Sequence, residues 1–278
     1  MSNYAEYIAG SMSGVIRIGV GYPIETLKVR IQTVYGDKSI LSNTQKIYRT
    51  EGIKGFYRGS FGLFIGSSIL TSIEFGTYSK VSKYIGTNSN TTNFIGGTLA
   101  GFVQSPLTIP IEHIRNRMQV TSLMGEKYKN SYDAYKKIYM NYGLKGIYKG
   151  SILTIIRDTP STGLYFMSYK MTENKLQCID KNNRFKSIAP GISGVVAGLA
   201  FWIPIYPIDV IKNRIQTDAF NKSVMKYDGM FDCVKQLYKS DGILGFYRGF
   251  NACLLRSIPV HFAMFLCYEN VMKYLSLT

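Results

Sequence analysis

The sequence is poor in the residues on which most enzymes and metalloproteins depend. Its 278 residues include two histidines, His113 and His261, and four cysteines, Cys178, Cys233, Cys253 and Cys267. None of them stands at a metal-ligand or paired spacing, so neither a metal site nor a disulfide framework is expected. A nucleophile elbow, a phosphate-binding loop and an HExxH pair are all missing, which leaves an enzyme without support and calls for no cofactor. Acids are scarce, 17 against 33 bases, and the pI is near 9.6.

Charge is also missing from particular places, and this says more than its total. Phe94–Ile111 and Ile188–Ile208 contain no Asp, Glu, Lys or Arg, and each is long enough to cross a bilayer. Ile8–Ile24 carries only Arg17, Phe61–Tyr78 only Glu74, Ser151–Tyr169 only Arg157 and Asp158, and Phe250–Tyr268 only Arg256. Six membrane spans are therefore expected, although the mean hydropathy of −0.01 does not announce them. Charges inside spans are costly in lipid and face a watery cavity, where they mark a pathway. The bases collect in the connections Thr33–Gly59, Val120–Gly150 and Thr217–Gly249, whereas Tyr84–Asn93 has no charge. Such one-sidedness fits membrane topology and anionic lipid better than nucleic acid. The chain enters its first apolar stretch by Ala5, so any organellar address is expected to be internal.

Three stretches organise what is there. Pro23-Ile24-Glu25-Thr26-Leu27-Lys28-Val29-Arg30-Ile31-Gln32 recurs at Pro110–Gln119 and again at Pro207–Gln216. The interval is roughly 90 residues, the mark of an internally repeated architecture. Acid and base three apart share a helical face, with the Gln one turn on. The proline before them bends the helix. Around a pseudo-threefold axis the acid of one copy would meet the base of the next.

This pattern, Pro-x-[Asp/Glu]-x-x-[Lys/Arg] three times along essentially the whole chain, resembles the mitochondrial carrier family. The resemblance implies an all-α membrane protein. Six transmembrane helices would form three pseudo-symmetric repeats around a central cavity, with three short surface helices on the matrix side. The repeats would be residues 1–86, 87–180 and 181–278, together one transport domain for which a monomer suffices. It also implies the mitochondrial inner membrane, crossed several times. A matrix gate would join Glu25 to Arg115, Glu112 to Lys212 and Asp209 to Lys28, with Gln32, Gln119 and Gln216 as braces.

After each odd-numbered span comes an amphipathic segment, Ser42–Arg49, Tyr132–Tyr139 and Met230–Tyr238, suited to the membrane surface. Each closes on a glycine (Gly52, Gly143, Gly242) and an aromatic-basic-glycine triplet. The triplets are Tyr57-Arg58-Gly59, Tyr148-Lys149-Gly150 and Tyr247-Arg248-Gly249. Helix ends expose backbone N–H groups to anions. The resemblance implies bound cardiolipin at these glycines and at Arg58, Lys149 and Arg248, beside the alternative that they are plain helix caps.

Seven residues beyond each triplet stand Gly66, Arg157 and Arg256, followed by Ser67, Asp158 and Ser257. The resemblance makes these the substrate contacts. Arg grips a carboxylate bidentately, and Asp158 offers an ammonium the opposite charge. One acid beside two arginines describes a zwitterion or a cationic amino acid better than a nucleotide or dicarboxylate. Arg157-Asp158-x-Pro160, Tyr165-Phe166-Met167 and Trp202 are similar to the carnitine/acylcarnitine and basic amino-acid branch of the family. Tyr22 departs from the acylcarnitine carriers, which have a histidine there. Glu74 either binds a second ammonium or caps a helix contact, and Arg17 either lines the cavity or snorkels. The cytoplasmic gate reads Tyr78-Ser79-x-x-Ser82, Tyr169-Lys170-x-x-Glu173 and Tyr268-Glu269-x-x-Met272, with few complementary charges, so a resting state open to the cytoplasm is expected. Alternatives are a carrier of a nucleotide or carboxylate, and a proton-leak protein or a receptor of the same fold.

Overall fold

The computed structural model describes residues 2–33, 39–86, 89–123, 128–179, 189–256, 259–260 and 263. Five long helices dominate: α1 (Ser2–Thr33), α3 (Ser60–Ile85), α4 (Asn90–Val120), α6 (Ser151–Ile179) and α7 (Ala189–Thr217). Between them lie the short helices α2 (Ile40–Phe56), α5 (Ser131–Ile147) and α8 (Met230–Asp241), the last followed by a 3-10 turn at Ile243–Tyr247. Residues 250–256 begin a further helix, most of whose expected span lies outside the described residues. No strand occurs among the described residues. By length and composition α4 and α7 are apolar enough to cross a membrane. Both α3 and α6 exceed the ~20 residues that a span requires but carry charge within it.

Local chemistry sets these boundaries. Ser39, Ser89 and Asn130 stand in extended conformation before α2, α4 and α5, and each side chain accepts from the backbone N–H three residues on. These caps satisfy donors that the first helical turn leaves open. The threefold repeat is written into the backbone as well. Gly52, Gly143 and Gly242 share φ between 62° and 65°, a left-handed conformation that a side chain would strain. Pro23, Pro110 and Pro207 all lie inside helices, where a lost hydrogen bond bends the axis.

The bends bring the polar ends of α1, α4 and α7 together. Residues 25–33, 116–121 and 209–214 are buried all round, charged side chains included. The triplet glycines seal the junctions in cyclic order. A Cβ at Gly59 would come within 2.9 Å of Met118 on α4, and one at Gly150 within 2.8 Å of Gln216 on α7. One at Gly249 would lie 3.4 Å from the Lys28 carbonyl on α1.

The small-residue pairs split in their use. Gly97 and Gly101 let α4 press against the α6 backbone, since a Cβ there would meet the carbonyls of Thr162 and Asp158 at 2.6 and 2.7 Å. Gly194 and Gly198 have the same spacing but nothing within 4 Å, because they face a cavity instead of a helix.

Candidate functional site

A cavity of about 690 Å³ lies inside the bundle, with Ile18, Tyr22, Leu63, Tyr165, Leu199 and Trp202 on its walls. It shares Glu25, Glu112, Arg115, Trp202 and Arg256 with a narrower cavity of about 140 Å³, which Arg157, Lys28 and Asp209 also line. Beyond the narrow part the three proline-bent helix ends meet, and their charged side chains form a ring.

All three expected acid–base pairs are present. Lys28 Nζ lies 2.9 Å from Asp209, Lys212 Nζ 2.5 Å from Glu112 and Arg115 Nη2 3.7 Å from Glu25. The order runs from repeat 1 to 2, 2 to 3 and 3 to 1, so the ring is closed. Gln32 Nε2 donates to Asp209 at 3.1 Å, in the manner of a brace. The other two glutamines are engaged differently. Gln119 donates to Thr26 at 3.3 Å, while Gln216 accepts from Asn116 at 2.8 Å. Beneath the ring, Asn116 donates to Asn213, and Asn213 donates to Gln32 at 2.6 Å. This uncharged tier was not foreseen. Its one signal in the sequence is the Asn between two bases in repeats 2 and 3, where repeat 1 has Val29.

The two arginines seven residues beyond their triplets are used unequally. Arg157 donates to Asp158 at 2.6 Å, to Glu112 at 2.7 Å and to Asp209 at 2.8 Å, so it reaches carboxylates of two repeats besides its neighbour. Among the described residues Arg256 makes a single carboxylate contact, 2.8 Å to Glu25, and its side chain stays 30% exposed. Asp158 turns Oδ1 to Arg157, whereas its Oδ2 is buried without a hydrogen-bond partner among the described residues. Trp202 lines both cavities and presents its ring 4.0 Å from Lys28 Nζ.

The remaining candidates fall as follows. Gly66 faces α4, where an added Cβ would come within 2.8 Å of Ile111 Cδ1. Ser67 donates to its own helix at Phe64. Neither these two nor Glu74 or Asp158 is among the residues lining the two cavities. The Arg17 side chain, Tyr268 and Glu269 lie outside the described residues. At the other end of the bundle, Tyr78 donates to Asn93 at 2.7 Å and stacks on Phe166, while Lys170 pairs with Glu173 on its own helix. Tyr169 stacks against Tyr165 there.

Around the surface helices the basic residues are already engaged. Glu51, at the end of α2, holds Arg30 at 2.6 Å, Arg58 at 3.2 Å and Ser122 at 2.7 Å. Partial burial alone would raise its carboxyl, but hydrogen bonds from Arg30 and Ser122 and the two positive charges hold it below the ordinary range. Asp241 holds Arg248 at 3.2 Å in the third repeat. In the second, Tyr142 takes that acid's place, and Lys149 donates to the carbonyls of Asp218 and Ala219.

A triplicated helical bundle with a charged central cavity, shut at one end by a cyclic ion ring, is the architecture of a membrane carrier for small solutes. The family model for mitochondrial carrier proteins matches three times, at residues 1–89, 86–179 and 183–277. The chain belongs to the mitochondrial carrier protein family, whose members transport small metabolites. It is 32% identical over 274 residues to the mitochondrial basic amino acids transporter of Bos taurus, covering 97% of this chain and 91% of that one. It is likewise 32% identical to a glutamate/glycine mitochondrial carrier of Schizosaccharomyces pombe, with 97% and 94% covered. Identity to the human mitochondrial carnitine/acylcarnitine carrier protein is 34%, with 97% and 93% covered.

Proposed function

We propose that this carrier moves a small zwitterionic or cationic metabolite, an amino acid or a carnitine-type molecule, across the mitochondrial inner membrane by alternating access. The observation that carries this reading is the charge around the cavity floor. Lys28, Arg115, Arg157, Lys212 and Arg256 stand there with Glu25, Glu112, Asp158 and Asp209, one base in excess. A substrate carboxylate neutralises that excess, and the half-open Arg256 is the group positioned to take it. Asp158 Oδ2, buried behind that floor, has no hydrogen-bond partner among the described residues, and the Trp202 face on the cavity wall suits a positively charged nitrogen. The substrates named for the relatives, basic amino acids, glutamate or glycine, and carnitine or acylcarnitine, all join a carboxylate to a cationic nitrogen.

Alternating access follows from the same contacts. A carboxylate that takes Arg256 withdraws it from Glu25, and one that takes Arg157 loosens Glu112 and Asp209. Substrate binding thus weakens the ring on its matrix side, in keeping with a central site flanked by two gates. The sites proposed for cardiolipin are the helical turns that start after the left-handed glycines Gly52, Gly143 and Gly242, where free N–H groups would receive a phosphate. Three repeats in one chain complete the bundle, so the carrier is taken to work as a monomer, spanning the membrane several times.

The test is uptake into cardiolipin-containing liposomes with labelled lysine, ornithine, glycine, carnitine, ATP and malate. Wild type is compared with Arg256→Gln and Asp158→Asn. Uptake of a zwitterion or cationic amino acid, lost in both variants, is the expected result. Uptake of ATP or malate alone would overturn the substrate assignment.

A further inference from the structure

The matrix ends of the three repeats should be equivalent, and the second is not. In repeats 1 and 3 the base two residues past the ring base reaches the next repeat through one backbone carbonyl. Arg30 Nε donates to Gln119 O and Arg214 Nε to Gln32 O, each at 2.8 Å. The triplet bases Arg58 and Arg248 return to the acids of their own repeats, Glu51 and Asp241.

Repeat 2 differs at two positions. His113 stands where the others have Thr26 and Val210, and Tyr142 where they have Glu51 and Asp241. With Nδ1–H donating to Ile147 O at 2.9 Å, the His113 Nε2 accepts from Arg117 Nε at 3.1 Å, and the same Nε2 lies 3.2 Å from Gln216 O, the carbonyl that corresponds to those reached by Arg30 and Arg214. Arg117 instead donates through Nη2 to Asp218 O and lies 3.9 Å over the ring of Phe220. Phe220 in turn stacks on Tyr142, with centroids 4.2 Å apart and planes 17° apart, while Lys149 Nζ lies 4.7 Å from its centroid. The segment is held in shape by Asp218, whose carboxylate accepts from the backbone N–H groups of Ala219, Lys226 and Tyr227. The triplet base, held by an own-repeat carboxylate elsewhere, is here held together with Arg117 by the loop of the next repeat.

We propose that Phe220 is a positioning residue for transport: with the Asp218 and Ala219 carbonyls it straps the α7–α8 loop onto Arg117, Lys149 and Tyr142 and holds the seam between repeats 2 and 3 shut. The inference rests on the reading of the ion ring as a gate. Matrix-side opening must part α4 from α7 across Glu112–Lys212 and Asn116–Asn213, and the strap crosses that same seam. Its strength is that of a buried cation over an aromatic face, and screening by salt hardly reaches it.

The test uses one reporter thiol at Leu199→Cys on the cavity wall, with the four native cysteines replaced, in oriented liposomes. An impermeant maleimide is applied from the ring side. Phe220→Ala is expected to label about tenfold faster than the parent, and Phe220→Leu, which keeps apolar bulk without a ring face, should follow it. Phe220→Tyr, which keeps a ring face over Arg117 and against Tyr142, should label at the parental rate. Glu112→Gln is the control for the ring. If that control is silent, the gate reading falls and the inference with it. If the control responds while Phe220→Ala labels like the parent, the inference alone is overturned. A Phe220→Leu that behaves like the parent, or a Phe220→Tyr that labels like Phe220→Ala, reduces Phe220 to packing and also overturns the inference.

Discussion

Arg157 and Arg256 occupy the same place in two repeats, seven residues past an aromatic-basic-glycine triplet, yet the structure puts them to different uses. Arg157 is 5% exposed and saturated by Asp158, Glu112 and Asp209. Arg256 is part-exposed to the cavity and holds one carboxylate. The difference lies in the neighbours. An acid follows Arg157 directly and keeps the guanidinium turned toward the ring, whereas serine follows Arg256. Equivalent positions in a repeat therefore do not imply equivalent roles. One arginine is tied into the ion ring, and the other is left part-exposed at the cavity.

The sharpest way to break this comparison is Arg157→Gln. Removing one member of a buried ionic cluster strands the others, at a cost of about 3–5 kcal/mol. The variant should lose much of its thermal stability in detergent even without substrate, as read by a thiol-reactive dye melt. Arg256→Gln should leave the melting curve nearly in place, since a part-exposed pair contributes about 1 kcal/mol or less. Its effect should appear in transport, as a rise of about a hundredfold in KM for the carboxylate-bearing substrate. Equal destabilisation by the two variants would erase the distinction. The smallest effect belongs to Trp202→Leu, which removes the aromatic face from Lys28. A loss of about 1 kcal/mol is expected, with KM rising more for a substrate bearing a fixed cationic nitrogen than for glycine. The ratio of the two uptake curves decides it.

Much of the architecture was legible in the sequence because it is periodic. Three Pro-x-acid-x-x-base stretches foretold a ring of acid–base pairs, and the family resemblance implied the partners Glu25–Arg115, Glu112–Lys212 and Asp209–Lys28. The surface helices α2, α5 and α8 were likewise marked by amphipathic stretches ending at glycine. What escaped was whatever depends on the breaking of that symmetry. The resemblance placed Gly66 among the substrate contacts, and only α3–α4 packing set its closeness to Ile111. Gln119 and Gln216 carry the same motif position as Gln32, yet neighbours supplied by other repeats, Thr26 and Asn116, engage them elsewhere. Phe220 lies in a connection with no repeat counterpart, so no pattern could single it out.

The sequence by itself determined the helical class, the threefold repeat, the one-sided distribution of bases and the charge that lies within the spans. These follow from local composition and from spacing along one helix, properties that each segment carries alone. Only the tertiary structure decided that Arg157 completes the ring while Arg256 faces the cavity, that an asparagine tier underlies the salt bridges, and that repeat 2 is tied to its neighbour by an aromatic ring. The physical reason is that a buried charge takes its partner from whichever helix end the packing brings within about 3 Å, and that choice is made between segments far apart in the chain.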